Sequence, residues 1–547
     1  MTLMSELLAR RMRLIAAQTR DVVCERDLGA TMDDGAVLLA DRWVARAAAA
    51  RPQPTVLVRS PYGRAQFVGL LFGRLLGERG LQVVIQSVRG TFGSQGDFTP
   101  FDERADGLAT LRWLRAQPWH AGPIGTIGPS YLGFVQWAIA AEAGPDLRSM
   151  SIHVSASQFY DQTYSAGGLS LENVATWMVL LAAQESRLAP LAINRGLRAL
   201  RTLISQPPLG DLDVRATGAE IGWFREAFAS PDRTDPYWAA RDHSRSVSAV
   251  RAPVQFVGGW YDILLPWMLQ DYEALQAAGR APQLLIGPWS HTSPALMGAA
   301  HRDGIAWLRA GLLGDRRLVR PAPVRLLVTG EGGSWREPPS WPPPGVADQR
   351  LFLSAGRGLA GAPPAAGGSE AYRYDPADPT PAVGGPVLLS RQPVVDNAPL
   401  ESRADVLTFT GAPLAAAVEM IGHVRVELWA QADSDHFDIF ARVCDVDRDG
   451  VSRNVCDGLA AVAPGRGEQA PDGAWRVAFE LWPAAHRFGA GHRIRFQVSS
   501  GAHPRYARNP GTGEDRATAT AASMRAVEVT VRWGGDHPSA LVLPIMP

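Results

Sequence analysis

Three short segments of the chain carry side chains that could together perform acyl transfer. They are Gly128–Gly133 (Gly-Pro-Ser-Tyr-Leu-Gly), Gly258–Asp262 (Gly-Gly-Trp-Tyr-Asp) and Gly287–His291 (Gly-Pro-Trp-Ser-His). A serine hydroxyl is a weak nucleophile unless a base takes its proton and a carboxylate orients that base. Ser130, His291 and Asp262 supply one group of each kind. The simplest reaction that this set predicts is hydrolysis of an ester or amide through an acyl-enzyme intermediate.

Ser130 stands between an apolar, strand-like run that ends at Gly128 and a helical stretch, Phe134–Ala143. Gly128 and Gly133 permit the tight, strained turn that exposes a nucleophilic serine. The first N–H groups of the following helix, with that of Tyr131 foremost, would face a developing oxyanion. A serine flanked by glycines is a weak signal by itself, but the strand–turn–helix context favours a nucleophile.

Asp262 and His291 also follow apolar, strand-like runs, and their order after the serine is that of the α/β-hydrolase triad. Each has an ordinary alternative, since a strand-end aspartate is usually a turn residue and the chain has eleven histidines. Asp271 and Asp242 are weaker candidates for the acid. Asp271 falls inside a following helical stretch, and Asp242 falls inside a predicted insertion.

The composition excludes several other chemistries. The 547 residues have a net charge of zero, so no basic field indicates nucleic acid or a membrane as a partner. The chain contains no lysine, which excludes a phosphate-binding P-loop lysine, a Schiff base and a Ser-x-x-Lys acylase. The three cysteines are too few for a disulfide scaffold and lack the spacing of a zinc site. We therefore expect no cofactor and no metal.

The first 20 residues have no continuous apolar stretch of signal-peptide length, and no window of the chain approaches a membrane-spanning helix. A cytoplasmic location is the expectation that follows. The predicted partner is a small ester or amide substrate, and the sequence leaves a homodimer open.

The arrangement of strands and helices predicts four parts. Residues 1–155 alternate strand-like and helical stretches, which is typical of a parallel sheet covered on both faces, and this pattern resumes at 249–350. Residues 156–248 are mostly helical. A loop or linker rich in Pro, Gly and Ala is predicted at 360–386, and short strands dominate the segment 351–547. We predict the α/β class: an α/β-hydrolase domain with a helical cap insertion, followed by a C-terminal all-β jelly-roll domain.

Several further stretches share a distinctive set of motifs. They are Arg59–Arg64 (RSPYGR), Val88–Gly96 (VRGTFGSQG), Gln117–Trp119 (QPW), and Tyr374–Pro379 (YDPADP) followed by Gly384-Gly385. Together with the serine, aspartate and histidine segments, they resemble the CocE/NonD hydrolases, the cocaine esterase and X-Pro dipeptidyl-peptidase-like group of α/β-hydrolases. The resemblance covers nearly the whole chain, and the motifs are specific when they are taken together.

The resemblance implies a role for five residues. Ser130 would be the nucleophile, Asp262 the orienting acid and His291 the base. The Tyr62 hydroxyl would be a second oxyanion donor beside the backbone N–H of Tyr131.

Tyr62 has an alternative explanation, and Ser87 departs from the family pattern. From the residues alone, Tyr62 is equally well explained as a ring packed in a Pro-Tyr turn. The chain departs from the family pattern at Ser87, where many members have aspartate, so no ion pair is expected from that position.

Three tryptophans, Trp177, Trp260 and Trp289, are candidates for the wall of a pocket that binds an apolar or aromatic acyl group, although each would also suit a core position. No carboxylate cluster follows Asp262, so the sequence favours an esterase or amidase whose substrates lack a free amino terminus. An X-Pro dipeptidyl-peptidase-type aminopeptidase and an acyltransferase with the same triad remain alternatives. A non-catalytic binding protein fits less well, because all three triad residues are present.

Overall fold

One mixed sheet organises the first of two units in the computed structural model, which describes residues 2–547. This unit comprises the chain up to Phe159 together with Arg233–Arg325. Its strands are β1 (Val22–Thr31), β2 (Val37–Ala45), β3 (Gln53–Ser60), β4 (Gln82–Ser87), β5 (His120–Pro129), β6 (Leu147–His153), β7 (Val254–Tyr261) and β8 (Gln283–Ser290). They lie in the order β1-β2-β4-β3-β5-β6-β7-β8.

The strand directions decide where the candidate residues meet. β2 pairs antiparallel with β1 and β4, whereas the strands from β4 through β3, β5, β6 and β7 to β8 pair in parallel with one another. Every residue of β4 is buried, as expected for a strand covered on both faces. The carboxyl ends of β3, β5, β7 and β8 therefore lie along one edge of the sheet, the usual location of sites in such folds.

Helices cover this sheet close to where the apolar periodicity predicts them. The α-helices are Thr2–Arg11, Gln66–Val68, Leu75–Gly77, Arg104–Arg115, Tyr131–Ala140, Pro236–Ala239, Leu265–Ala277 and Pro294–Leu313, with 3₁₀-helices at Arg46–Ala48 and Ser244–Ala249. Between the short helices Gln66–Val68 and Leu75–Gly77 lies a π-helical stretch, Gly69–Arg74. A Cβ at Gly73 would lie 2.6 Å from the Trp43 ring. The backbone of this π-helical turn therefore packs directly against the indole, with no side chain between them.

The second unit comprises Tyr160–Asp232 and Leu326–Pro547. Its helices are Tyr160–Thr163, Leu171–Ala183, Ala189–Leu203, Leu212–Thr217, Gly222–Ala229 and Ala398–Glu401, with a 3₁₀-helix at Ala355–Arg357 and a small hairpin of Tyr164–Ser165 and Gly168–Leu169. The helical segment at 160–232, predicted as part of a cap on the first domain, thus groups with the β-rich part of the chain. The Glu172 N–H donates to the Pro504 carbonyl (3.1 Å), and the Asn173 side chain accepts from the Leu388 N–H (2.9 Å).

The β-rich part of this unit is a 15-stranded sheet system. Its strands are Thr329–Gly330, Ala347–Ser354, Gly358–Ala360, Gly368–Tyr374, Leu407–Thr410, Val418–Gly422, Arg425–Ala432, Phe437–Val446, Ser452–Val462, Glu468–Gln469, Trp475–Glu480, Ala484–Phe488, Arg493–Ser499, Val527–Trp533 and Ala540–Ile545. The short strands Val324–Leu327 and Trp335–Arg336 pair with each other. Within residues 2–547, no helix combines the length and the apolar character needed to cross a membrane.

One sequence prediction fails in this region. The stretch 360–386, predicted as a loop or linker, contains the strand Gly368–Tyr374, which pairs antiparallel with Val527–Trp533 along its whole length. Its alternation of buried and exposed residues is confined to seven positions between turn-forming segments. The partner strand lies more than 150 residues away in sequence, so the local composition of 360–386 could not indicate the hydrogen bonds that stabilise this strand.

Candidate active site

Ser130 forms a strained turn between β5 and the helix Tyr131–Ala140. Its backbone has φ 55° and ψ −123°, a conformation that costs a non-glycine residue about 1 to 3 kcal/mol. Four hydrogen bonds hold it there: the Ser130 N–H donates to the His153 carbonyl (2.9 Å), and the Ser130 carbonyl accepts from the Gly133 N–H (2.8 Å), the Phe134 N–H (3.1 Å) and the Ser155 hydroxyl (2.6 Å). The turn leaves the Ser130 side chain half-buried, as a nucleophile elbow requires.

The two glycines around Ser130 are required by close packing. A Cβ on Gly128 would lie 2.3 Å from the Leu132 Cβ, and a Cβ on Gly133 would lie 2.4 Å from the Ser155 Cβ. Neither position has room for a methyl group without a backbone shift. The spacing of the motif therefore reflects how tightly the helix returns over the strand end.

Asp262 and His291 form the best-defined polar pair of the site. The His291 Nδ1 and the Asp262 Oδ2 lie 2.6 Å apart, and the Asp262 side chain is fully buried. The other carboxylate oxygen of Asp262 accepts the Leu264 N–H at 2.8 Å, which fixes the plane of the carboxylate. With Asp262 accepting at Nδ1, Nε2 is the imidazole nitrogen left to take a proton from a substrate or nucleophile.

A bulge between β7 and β8 places these two residues. The parallel register runs to Gly287↔Gly259 and resumes at Ser290↔Tyr261, so β8 contains an extra residue. A Cβ on Gly259 would lie 2.2 Å from the Trp289 carbonyl oxygen, and one on Gly287 would lie 2.5 Å from the Trp289 ring. Bulges near active sites redirect the side chains that follow. The bulge thus explains the glycines of both segments.

The Tyr131 side chain points into a buried ionic network. Its hydroxyl donates to the Glu103 Oε1 (2.6 Å) and accepts the Phe101 N–H (2.9 Å). Glu103 also pairs with Arg59 at 2.8 Å, and both side chains are almost entirely buried. Burial raises the pKa of the Glu103 carboxyl and of the Tyr131 hydroxyl. Tyr131 can therefore serve an oxyanion only through its backbone N–H.

Sequence reasoning missed Glu103 and Arg59, although one signal was available. Arg59 is a charged residue at the end of an apolar run in β3, and such a residue needs a buried partner. Which carboxylate supplies it depends on the packing of the helix Arg104–Arg115 against the sheet.

Tyr62 lies just beyond the end of β3, at the same sheet edge as Ser130, because β3 and β5 are adjacent and parallel. It is half-buried, and its N–H donates to the Ser60 hydroxyl at 3.0 Å. Gly63 follows with φ 84°, and a Cβ there would lie 3.0 Å from the Phe92 ring. The turn is therefore held from both sides, which suits a fixed hydroxyl donor.

The departure at Ser87 has a simple structural consequence. The Ser87 hydroxyl accepts from the Arg64 guanidinium at 3.2 Å, while the charge of Arg64 is paired with Asp41 at 3.0 Å and with Asp27. Position 87 makes no ion pair of its own, as expected. Asp41 and Asp27 supply the carboxylates instead.

The three candidate tryptophans lie in different surroundings. Trp260 and Trp289 are buried in the first unit, and Trp289 belongs to an apolar cluster with Val154 and Leu285. Trp177 belongs to the second unit, where its ring centroid lies 5.0 Å from that of Trp223. Their assignment to a substrate-binding wall stays a prediction.

Comparison with known proteins gives two family matches. Residues 34–293 match the model of the X-Pro dipeptidyl-peptidase (S15 family), and residues 318–542 match that of the X-Pro dipeptidyl-peptidase C-terminal non-catalytic domain. Among curated proteins, cocaine esterase from Rhodococcus sp. (strain MB1 Bresler) is 30% identical over 576 residues, which cover 94% of this chain and 97% of the relative.

Two solved structures have the same overall fold. An α-amino acid ester hydrolase aligns with a TM-score of 0.81 and 22% identity, covering 97% of this chain and 98% of its own. A CocE/NonD family hydrolase from Staphylococcus aureus aligns with a TM-score of 0.71 and 17% identity, covering 96% of this chain and 94% of its own. The predicted fold class is confirmed.

The tight elbow predicts a cost for adding one methyl group. Gly133→Ala should lower kcat and reduce stability by about 1 to 3 kcal/mol, because the new Cβ must displace Ser155 or the helix start. Gly222→Ala is the matched control, since its Cβ would meet nothing within 4 Å. Steady-state kinetics and thermal melting measure both effects. A Gly133→Ala enzyme with the kinetics and melting temperature of the control would contradict this account of the elbow.

Proposed function

Because this chain belongs to the CocE/NonD family of serine hydrolases, we propose that it hydrolyses an ester or amide bond with Ser130 as nucleophile, His291 as general base and Asp262 as the orienting acid. The observation that carries the proposal is the 2.6 Å pair between the His291 Nδ1 and the buried Asp262 carboxylate. It stands at the same sheet edge as the strained Ser130 turn. Its fixed carboxylate leaves Nε2 as the proton acceptor.

The reaction proceeds in two halves on this arrangement. The Ser130 Oγ attacks the substrate carbonyl carbon while its proton passes to the His291 Nε2, and a tetrahedral oxyanion forms. The oxyanion collapses, the bond to the alcohol or amine breaks, and His291 protonates that leaving group. Water then attacks the acyl-enzyme with His291 again as base, which releases the acid and regenerates Ser130.

Two donors stabilise the oxyanion in this proposal. One is the backbone N–H of Tyr131, at the start of the helix after Ser130, where unpaired N–H groups and the helix dipole favour negative charge. The other is the Tyr62 hydroxyl beyond the adjacent strand β3. Donors fixed in advance cost no reorganisation when charge develops.

We favour an ester over a peptide substrate. The 30% identical relative bears the name of an esterase. Ile263 and Leu264 follow Asp262 and are buried, so this turn carries no further carboxylate that could bind a substrate ammonium group. An X-Pro dipeptidyl-peptidase activity is the second candidate, because both family models bear that description.

Covalent labelling tests the nucleophile. After treatment with a serine-reactive sulfonyl fluoride, mass spectrometry should find one adduct, on Ser130, because this serine stands on a strained turn at the same sheet edge as the His291–Asp262 pair. Asp262→Asn should slow the labelling by several powers of ten, since His291 loses the partner that fixes its tautomer. Ser155→Ala, which removes a neighbouring hydroxyl, should still be labelled on Ser130. Stoichiometric labelling of a different serine would refute the assignment.

Phenylalanine substitutions at the two tyrosines separate the oxyanion donors. Tyr62→Phe should lower kcat about a hundred- to a thousandfold with little change in KM, because its hydroxyl binds charge that appears in the transition state. Tyr131→Phe keeps the backbone N–H, so it should largely retain kcat while losing about 1 to 3 kcal/mol of stability, because the Glu103 Oε1 loses its donor and the Phe101 N–H loses its acceptor. Kinetics and melting curves distinguish the two effects. If Tyr62→Phe stayed within a factor of two of the parent, the second donor would lie elsewhere.

A pair of chromogenic substrates distinguishes the two candidate activities. A p-nitrophenyl ester of an aromatic acid should give a kcat/KM at least a hundred times that of Gly-Pro-p-nitroanilide. The anilide requires a site for a free ammonium group, and none accompanies Asp262. A preference for Gly-Pro-p-nitroanilide would establish the peptidase candidate and reject the ester proposal.

A further inference from the structure

Asp271, which the sequence offers as a weaker candidate for the triad acid, is a buried carboxyl group beside the support of the Ser130 turn. It lies in the middle of the helix Leu265–Ala277, and only 4% of the residue is exposed. Its Oδ2 accepts the Ser157 N–H at 2.7 Å, and its Oδ1 lies 2.6 Å from the Ser157 hydroxyl oxygen. Both oxygens of one carboxyl group therefore hold a single residue of the segment that follows β6.

The segment that Asp271 holds is also the one that supports the Ser130 turn. Ser155, two residues before Ser157, donates its hydroxyl to the Ser130 carbonyl at 2.6 Å, and its Cβ lies against the bare backbone of Gly133. Ser155 and Ser157 are both fully buried. A displacement of Ser157 would therefore reach Ser130 through Ser155.

The helix that carries Asp271 follows directly from the turn of the triad acid. It begins at Leu265, and the preceding Leu264 N–H donates to the Asp262 carboxylate. The contact between Asp271 and Ser157 thus joins the part of the fold that carries the acid to the part that carries the nucleophile.

Packing alone does not account for an acid at this position. Within residues 2–547 no basic side chain pairs with Asp271, and burying a carboxylate without a counter-charge is unfavourable. Burial raises the pKa of the Asp271 carboxyl to about 7, although the hydrogen bonds from Ser157 lower it. An apolar side chain would avoid this cost, but it could not bond to Ser157.

We propose that Asp271 is a positioning residue, which holds Ser157 and thereby fixes Ser155 and the Ser130 turn in the place that proton transfer to His291 requires. This inference rests on the proposed function, because it assigns Asp271 a role in a reaction at Ser130. Asp271 acts only through the two serines of the segment after β6.

The hydrogen-bond pattern provides a conservative variant. A protonated Asp271 can accept the Ser157 N–H with one oxygen and donate its own O–H to the Ser157 hydroxyl. Asparagine can make the same two bonds, because its side-chain oxygen accepts and its amide N–H donates. Leucine has a similar size but can make neither bond.

Steady-state kinetics of the full-length protein with the p-nitrophenyl ester test the positioning role. Asp271→Leu should lower kcat about a hundredfold, since a misplacement of about 1 Å can cost that much, while KM stays within a factor of about two. Asp271→Asn should keep most of the parent's kcat. The control is Gln270→Leu, which replaces the exposed polar neighbour in the same helix. A parental kcat in Asp271→Leu, or an Asp271→Asn variant as slow as Asp271→Leu, would overturn the proposal.

Ser157→Ala tests the same contact from its other side, and it decides the question if Asp271→Leu fails to fold. It removes the hydroxyl but keeps the N–H, so kcat should fall about tenfold, the kinetic equivalent of one ordinary hydrogen bond. The double variant should be no slower than Asp271→Leu, because both substitutions break one contact. A parental kcat in Ser157→Ala, or losses that multiply in the double variant, would refute the route through Ser157.

Labelling with the sulfonyl fluoride separates a failure of this inference from a failure of the proposed function. Asp271→Leu should be labelled on Ser130, but more slowly than the parent and in proportion to its kcat. Labelling of Ser130 at the parental rate would reject the role of Asp271 and leave Ser130 as the nucleophile. An adduct on another serine in the parent protein would reject the proposed function and this inference with it.

Discussion

The strained backbone at Ser130 is the constraint on which the arrangement of the first unit depends. A non-glycine residue with φ 55° is unfavourable by itself, so its surroundings must compensate. Hydrogen bonds from the neighbouring β6 and from Ser155 hold the turn, and the absence of a Cβ at Gly128 and Gly133 lets the helix approach the strand end. The close packing around this turn leaves little room for substitutions, and it places the half-buried Ser130 hydroxyl directly before the N-terminus of the helix Tyr131–Ala140.

A buried network of charged side chains holds Tyr131, the residue that follows the Ser130 turn. Glu103 is held between the Arg59 guanidinium and the Tyr131 hydroxyl, in surroundings that would strongly disfavour a lone carboxylate. Removing the Arg59 guanidinium would leave the buried Glu103 carboxylate without its counter-charge, and removing the Tyr131 hydroxyl would cost it a donor, so the network specifies one position for the start of the helix. Tyr131 is thereby anchored by its side chain, and the oxyanion role proposed for it falls to its backbone N–H. Asp262 follows the same principle, since both its oxygens are engaged, by His291 and by the Leu264 N–H.

The second unit also contains a buried group of paired charges. Asp457 lies between Arg442 and Arg505, and all three side chains are almost fully buried. The two guanidinium groups offset the cost of burying the Asp457 carboxylate, as Arg59 does for Glu103 in the first unit.

The sequence alone determined much of this protein, because many of its signals are local. Strand–turn–helix patterning, glycine spacing and the order of the segments identified Ser130, Asp262 and His291 as candidates, and the alternation of strand-like and helical stretches predicted the fold class. Only the tertiary structure decided which groups meet. The Asp262–His291 pair depends on a bulge in β8, the Glu103 network depends on helix packing, and the strand Gly368–Tyr374 depends on a partner far along the chain. Contacts between distant segments are set by strand order and side-chain packing, and local composition carries no record of either.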